Sequence, residues 1–212
     1  MGGTLERMAA RLTRVLVFAR EPVAGRAKTR LIPSLGEEGA ARLARAMLGH
    51  ALIEAAATNL GPVELVGDPH PEGWEAPVSG VSTSAQVGAD LGERMGEAVE
   101  RALAQGERVV VTGTDCPGLD AARIAEAARA LDTHDVAIIP ATDGGYVLIG
   151  FARFDPAIFS GVEWGRDSVF AATLANIEAL GWSVWQGDPL QDIDEPEDLK
   201  HAPATWLADG ER

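Results

Sequence analysis

The chain has 212 residues, of which 46% are hydrophobic and 24% are charged, so it can bury the core of one large domain. Its formal net charge of −14 argues against nucleic acid and anionic membranes as partners, because binding to either needs a basic surface. Cys116 is the only cysteine, which excludes an internal disulfide and a cysteine-based zinc cluster and favours the cytoplasm.

Short β-rich runs alternate with longer helical patterns, which is typical of an α/β protein with a parallel sheet wrapped by helices. Strands are predicted at residues 14–19, 63–67, 108–113, 136–140, 146–150 and 183–186. Helices are predicted at residues 37–58, 91–104, 120–131, 167–180 and 196–201, with Asp120 as the N-cap of the third.

The domain organisation predicted from this pattern is simple. Residues 1–12 form an N-terminal extension, residues 13–202 form one domain, and residues 203–212 form a C-terminal tail. The apolar run at residues 15–19 is far too short to be a signal-peptide core or a membrane span. Residues 69–88 are rich in Pro, Gly, Ser and Thr, so they are predicted to form a loop or a broken strand.

A cationic loop follows the first predicted strand. It carries Arg20, Arg26, Lys28 and Arg30 around a turn that contains Gly25. Ligands of open α/β sheets bind beyond the carboxyl ends of the strands, where such a loop can hold a triphosphate and neutralise a departing pyrophosphate. Lys28 is one of only two lysines among 18 basic residues, which favours a specific use of its compact ammonium. A solvated basic loop is the alternative interpretation.

A carboxylate, Asp115, follows the strand predicted at residues 108–113, within the segment Thr-Asp-Cys-Pro. At the carboxyl edge of the sheet it can hold Mg²⁺ or Mn²⁺ against nucleotide phosphates. Asp192 and Asp194 are two residues apart and share a face in an extended chain, so either could face Asp115 as a second metal ligand. Asp residues also cap turns and helices, which is the alternative role for all three.

A glycine-rich turn, Asp143-Gly144-Gly145-Tyr146, separates two of the predicted strands. Asp-Gly pairs are common in hairpins, so a turn alone could explain the glycines. Tyr146 is the only tyrosine of the chain and follows a loop that would open onto the same sheet edge. We therefore predict an acceptor or sugar site at this turn.

Several segments resemble nucleotide-dependent transferases. Residues 27–31 (Ala-Lys-Thr-Arg-Leu) resemble the first loop of the 2-phospholactate guanylyltransferases, and residues 114–117 resemble the metal-aspartate segment of the molybdenum-cofactor guanylyltransferases. Residues 192–199 are similar to the tail of the sugar cytidylyltransferases. The whole set most resembles a glycosyltransferase-like group, a conserved domain of unknown function to which arsenosugar biosynthesis has been provisionally assigned. The other matching residues are Phe18-Ala-Arg-x-Pro-x-x-Gly25, Gln86, Asp90-Leu-Gly-x-Arg-Met95, Asp143-Gly-Gly-Tyr146 and Trp164.

Over residues 13–202 this resemblance implies a GT-A-like Rossmann fold with a mostly parallel, twisted sheet flanked by helices. It implies Mg²⁺ or Mn²⁺ bound by Asp115, with Asp192 or Asp194 as the second ligand. The predicted nucleotide-binding residues are Ala19, Arg20, Gly25, Lys28, Gln86, Asp90 and Arg94. The predicted acceptor-binding residues are Asp143, Gly144, Gly145, Tyr146 and Trp164.

These features predict a metal-dependent transferase that uses a nucleotide donor and a small-molecule acceptor. Lys28, Arg20, Arg30 and Asp115 are the predicted catalytic residues, because they can stabilise charge on a departing phosphate group. Nucleotidyl transfer is favoured, since the loop cations suit a pyrophosphate leaving group. Glycosyl transfer stays open, because only Gly25 remains of the glycine-rich first loop of typical nucleotidyltransferases. A nucleotide-binding module without turnover is the third hypothesis.

Overall fold

The computed structural model describes residues 11–74 and 78–207. The strands are β1 (Thr13–Arg20), β2 (Val63–Asp68), β3 (Ser82–Ala85), β4 (Arg108–Thr112), β5 (Val136–Pro140), β6 (Tyr146–Phe151) and β7 (Val184–Gln186). The α-helices are α1 (Ile32–Ala57), α2 (Leu91–Leu103), α3 (Ala121–Ala130), α4 (Val169–Ala179) and α5 (Ala204–Leu207). Short 3₁₀ helices cover Thr29–Leu31, Pro156–Phe159 and Pro196–His201.

The seven strands form one mixed sheet in the order β3-β2-β1-β4-β6-β5-β7. Six strands run in the same direction, and only β6 is antiparallel to its neighbours β4 and β5. The prediction of a mostly parallel sheet is therefore confirmed. The carboxyl ends of β1 and β4 are adjacent, because these two strands pair in parallel register from Thr13 and Arg108.

The alternation of side chains along β1 divides the core between the two faces of the sheet. Val15 and Val17 belong to the cluster on the side of α1 and α3, whereas Leu16 and Phe18 belong to the cluster that contains residues of α2 and α4. Both faces are buried, which explains why the central strands are continuous apolar runs. This core fixes the strand ends that carry the candidate site.

Most of the predicted elements are confirmed, and the differences have local causes. Strand β3 lies in the segment that was predicted as a loop or a broken strand, and it is a short edge strand paired with β2 alone. Helix α1 begins five residues earlier than predicted, at Ile32, but Gly36 breaks its first turn with φ 70° and ψ 169°. Residues 196–201 form a 3₁₀ helix.

The predicted domain limits remain predictions. Residues 1–10 of the predicted extension and residues 208–212 of the predicted tail lie outside the described residues. Within the predicted tail, Trp206 of α5 packs against His50 of α1, with ring centroids 5.2 Å apart. Of the helices in the described part of the chain, none is long and apolar enough to cross a membrane.

Asp120 is the N-cap of α3, as the sequence predicts, because its carboxylate accepts a hydrogen bond from the backbone N–H of Arg123 at 2.9 Å. We expect Asp120→Ala to lower the free energy of unfolding by about 1 kcal/mol, since that N–H loses its partner. Urea unfolding measures this change. The control is Asp188→Ala, because Asp188 is exposed and forms no ion pair within the described residues. Equal losses in the two variants would contradict the capping role.

Candidate active site

Lys28 lies at the centre of the candidate site. Its ammonium Nζ is 3.0 Å from Oδ2 of Asp115 and 3.3 Å from Oδ1 of Asp194, and it donates to the carbonyl oxygen of Ile193 at 2.6 Å. The Lys28 side chain is only 9% exposed, whereas Asp115 and Asp194 are nearly half exposed. The structure therefore brings together three residues that the sequence predicts at separate places in the chain.

Local structure explains how Lys28 reaches these partners. The loop after β1 and the loop after β4 leave the sheet at the same edge, because the two strands are parallel neighbours. Ala27 and Leu31 are buried on either side of Lys28 and anchor the loop. Lys28 itself adopts a left-handed backbone conformation with φ 45° and ψ 49°. This conformation costs a non-glycine residue roughly 1–2 kcal/mol.

The segment after β7 supplies the third side of the site. Ile193 is fully buried, and its N–H donates to the backbone oxygen of Asp115 at 2.8 Å. Asp198 accepts hydrogen bonds from the N–H groups of Asp194 and Glu195 at 3.2 and 2.9 Å, which holds the acidic segment in place. Sequence analysis missed Ile193 and Asp198, although an apolar residue between two aspartates is a signal for an anchor.

Arg30 is the second cation of the site. Its guanidinium lies 2.8 Å from Oδ2 of Asp194 and 3.0 Å from Oε1 of Glu195, and the side chain is 61% exposed. Asp194 therefore contacts both Lys28 and Arg30. Because Arg30 is largely exposed, it can turn toward an incoming anion at little cost.

Asp192 lies in a strongly negative environment. Burial raises the pKa of Asp192 to about 6, and the negative charges of Asp143, Asp194 and Asp115 add to the increase. Asp143, which the sequence predicts at the acceptor site, therefore lies close to the predicted metal ligands. Four carboxylates thus share one region at the carboxyl edge of the sheet.

These carboxylates fit a hard divalent cation that takes only part of its coordination from the protein. All four offer oxygen, which Mg²⁺ and Mn²⁺ prefer. The part of the chain that the structure describes holds no group of three His, Cys, Asp or Glu residues placed to bind an ion alone. Mg²⁺ typically needs only one or two carboxylates when substrate phosphates complete its coordination. Asp115, with Asp192 or Asp194, meets that requirement.

A cavity of about 380 Å³ opens at the adjoining ends of β1 and β2. Its lining includes the predicted Arg20 and also Arg26, both exposed, together with Glu21, Asp68 and Pro69. Sequence analysis missed Asp68, although Asp68 directly follows a predicted strand, just as Asp115 follows another. The cavity offers two arginines to an anionic group one strand away from the loop that carries Asp115.

Gln86 and Arg94 contact residues of β1 and β2 near this cavity. The Gln86 side-chain amide donates to the carbonyl oxygens of Ala19 and Val66 at 3.0 and 3.1 Å. Arg94 donates to Asp68 at 3.0 Å and to the Gly88 carbonyl oxygen at 3.1 Å. Both hydrogens of the Gln86 amide are thus used within the protein, and its oxygen accepts a hydrogen bond from Arg94 at 3.4 Å.

Gly25, Asp90 and Trp164 have contacts of their own. Gly25 has φ +77° and lies against the carboxylate of Glu37. Asp90 caps α2 by accepting from the Glu93 N–H at 2.9 Å. Trp164 packs against Phe159, with ring centroids 5.7 Å apart. Asp90 and Phe159 also line a groove of about 510 Å³ between α2 and the 3₁₀ helix Pro156–Phe159. The predicted residue Asp90 therefore lies at a different surface feature from Lys28.

The turn Asp143-Gly144-Gly145 is built by tight packing. A Cβ atom on Gly144, which has φ +94°, would lie 2.1 Å from the Asp167 carbonyl oxygen. The Asp143 carboxylate accepts from the Gly145 N–H at 2.8 Å. The Tyr146 hydroxyl is buried in the core next to Thr173, and burial raises the pKa of Tyr146. A ligand at this turn would therefore meet Asp143 and backbone groups, while the Tyr146 hydroxyl lies in the core.

We expect Gly144→Ala to destabilise the protein by about 2 kcal/mol, because the new methyl group meets backbone and the residue keeps a positive φ. Urea unfolding measures the loss. Gly145→Ala is the matched control, because a Cβ atom there would meet only the Asp143 side chain, at 3.2 Å. A Gly144→Ala variant as stable as the control would show that the turn is not held against Asp167.

The raised pKa of Asp192 predicts a pH-dependent stability. The ordinary value for this carboxyl is 3.8, so the unfolded chain loses the proton at lower pH than the folded protein. The contribution of Asp192 to the free energy of unfolding must then fall as the pH rises from about 4 to about 6. Asp192→Asn should remove this fall. In EDTA, the stability gained by the variant over the wild type should be larger at neutral pH than at acidic pH, and a constant difference would contradict the prediction.

The architecture of the chain is that of the nucleotide-diphospho-sugar transferases and cytidylyltransferases. It matches the 4-diphosphocytidyl-2C-methyl-D-erythritol synthase of Anaerococcus prevotii DSM 20548 with a TM-score of 0.58. That match has 12% identity and covers 94% of this chain and 100% of the other. A protein of Mycobacterium tuberculosis H37Rv, solved in complex with manganese, matches with a TM-score of 0.54 at 15% identity, covering 90% and 97%.

The chain belongs to the family described as "Uncharacterized protein conserved in bacteria (DUF2064)", which matches residues 51–166. A protein of Desulfovibrio desulfuricans G20, provisionally named a nucleotide-diphospho-sugar transferase, is 34% identical. The match covers 86% of this chain and 82% of that one, with a TM-score of 0.80. A search of curated proteins found no significant match. The matched family range includes Asp115 and Asp143, whereas Lys28 lies before it and Asp194 after it.

Proposed function

We propose that this protein is a divalent-metal-dependent transferase that uses a nucleotide donor and a small-molecule acceptor, with nucleotidyl transfer favoured. The observation that carries the proposal is the convergence of Lys28 and Asp115, 3.0 Å apart, at the carboxyl edge of adjacent strands. This edge is where open α/β sheets bind their ligands. The arginine-lined cavity at the ends of β1 and β2 would receive a polyphosphate one strand away from the loop that carries Asp115.

The residues of the chain divide the work between binding and charge stabilisation. Arg20 and Arg26 line the cavity and would hold and orient the donor phosphates. Lys28 and Arg30 lie where negative charge would grow as the leaving group departs, and fixed cations there lower the barrier. A divalent cation on Asp115, with Asp192 or Asp194, would supply Lewis-acid neutralisation of the phosphates.

The favoured reaction is nucleotidyl transfer, and it needs no reactant besides the donor and the acceptor. An acceptor oxygen forms a bond to the α-phosphorus of a nucleoside triphosphate, and the bond from that phosphorus to the β-phosphate oxygen breaks. A phosphate acceptor attacks as an oxyanion with no proton to lose, and a hydroxyl acceptor gives its proton to solvent. The electron pair of the broken bond leaves with pyrophosphate, whose growing charge the cationic loop would stabilise. Asp143 and the backbone of the following turn are the groups available to an acceptor from the other side.

Glycosyl transfer from a nucleotide sugar is the second candidate. It is favoured by the provisional name of the relative that is 34% identical, and by a first loop in which Gly25 is the only glycine of residues 20–30. In that reaction the leaving group is a nucleoside diphosphate. A nucleotide-binding module without turnover is the third candidate, and it differs from both because it releases no product.

A thermal-shift screen tests the proposal. Nucleoside triphosphates and nucleotide sugars are each added with and without Mg²⁺ or Mn²⁺, and a ligand at about 100 times its dissociation constant adds about 2.7 kcal/mol to the stability. Donors found in this way are then incubated with a panel of phosphorylated and hydroxylated small acceptors. Release of pyrophosphate indicates nucleotidyl transfer, and release of nucleoside diphosphate indicates glycosyl transfer. Metal-independent binding, or no binding by any donor, would overturn the proposal.

The variant Asp115→Asn tests whether Asp115 binds the metal without being needed for the stability of the fold. The substitution is nearly isosteric and the side chain is nearly half exposed, so the free energy of unfolding should change by less than about 1 kcal/mol. The part of the donor-induced thermal shift that depends on Mg²⁺ or Mn²⁺ should disappear. Asp188→Asn is the control for the loss of one exposed carboxylate. If Asp115→Asn keeps the full metal-dependent shift, Asp115 is not a metal ligand.

A further inference from the structure

In the structure, the ammonium of Lys28 occupies the space between two of the carboxylates proposed for the metal. It contacts Oδ2 of Asp115 at 3.0 Å, Oδ1 of Asp194 at 3.3 Å and the Ile193 carbonyl oxygen at 2.6 Å. The contacts with Asp194 and Ile193 are hydrogen bonds, and the contact with Asp115 is an ion pair. Lys28 is therefore the cation that neutralises Asp115, and it shares the neutralisation of Asp194 with Arg30.

This placement of Lys28 is maintained against a conformational cost. Its left-handed backbone, with φ 45° and ψ 49°, is uncommon for a residue with a side chain. Strain of this kind persists where the surrounding structure fixes it, and it is concentrated at functional sites. Here the buried neighbours Ala27 and Leu31 fix the loop, and the ion pairs with Asp115 and Asp194 define where the ammonium lies.

We infer that Lys28 is an internal cation that competes with the divalent metal for Asp115 and Asp194, and that metal binding releases the ammonium toward the donor phosphates. This inference rests on the proposed function. A metal ion and an ammonium cannot both occupy the same carboxylate oxygens, and at short range the two cations repel each other. Oδ1 of Asp115 accepts a hydrogen bond from Thr114, so Oδ2 is the oxygen for which they compete.

The competition has a consequence for the order in which ligands bind. A metal ion that binds without a donor must displace the Lys28 ammonium, which then has no new anionic partner. The cost of this displacement weakens the binding of the metal. Donor phosphates offer the released ammonium a new partner, so donor and metal favour the binding of each other. The alternative role for Lys28 is a static tie between the three loops, in which case removal of the ammonium would leave metal affinity unchanged or reduce it.

The test is the affinity for Mn²⁺ in the absence of nucleotide, measured by electron paramagnetic resonance of free Mn²⁺ with the full chain. Lys28→Met should bind Mn²⁺ about fivefold more tightly than the wild type, since a partly exposed ion pair contributes up to about 1 kcal/mol. Lys200→Met is the control, because it removes the same charge from the only other lysine, which is exposed. Unchanged or weaker Mn²⁺ binding by Lys28→Met would overturn the inference.

A second measurement uses the wild-type protein and does not depend on the folding of a variant. The chain has two lysines, so a pulse of an acylating reagent followed by mass spectrometry reports each separately. Mn²⁺ should raise the acylation rate of Lys28 several-fold and leave that of Lys200 unchanged. Bound Mn²⁺ with no change at Lys28 would overturn the inference.

Asp115→Asn distinguishes failure of the inference from failure of the proposed function. If the wild type binds no Mn²⁺, or binds it equally well as Asp115→Asn, the proposed metal site fails. If the wild type binds Mn²⁺ through Asp115 but Lys28→Met binds it no more tightly, the metal site stands and only the competition fails.

Discussion

The interaction on which the site depends is the triple contact of Lys28. It joins the loops that follow β1, β4 and β7, although β7 lies at the far edge of the sheet from β1. The chain after β7 must therefore cross the carboxyl edge of the sheet to reach Lys28. Burial of Ile193 in one cluster with Leu31, Leu43 and Met47 provides the driving force for that crossing. The hydrophobic anchor thus positions a charged site.

The single antiparallel strand has an equally direct effect on the site. Because β6 lies between β4 and β5, the turn that enters it from β5 comes to the carboxyl edge of the sheet. That turn carries Asp143, whose charge helps to raise the pKa of Asp192. Loops with basic residues follow β1, and acidic residues follow β4, β5 and β7. Topology therefore brings basic and acidic residues from four separate loops together at one edge.

Sequence reasoning could predict the parts of this arrangement that depend on local pattern. The buried central strands are apolar runs, and Asp120 caps α3 because the capping partner is only three residues away. Strand β3 has the residues Ser-Thr-Ser-Ala and becomes a strand through pairing with β2, which no local pattern indicates. The contact of Lys28 with Ile193 spans 165 positions. The direction of the Tyr146 hydroxyl depends on the packing of β6 against Thr173. The sequence around Tyr146 does not indicate that direction.

Charge balance links the acidic composition of the chain to its candidate chemistry. In the structure, Lys28 and Arg30 are neutralised by Asp115, Asp194 and Glu195, so these two cations carry no surplus positive charge for a polyphosphate. A polyanion can take those cations only if another cation takes over the carboxylates they leave, because bringing uncompensated anions together is unfavourable. An acidic protein can thus bind a strongly anionic donor when a metal ion enters with it.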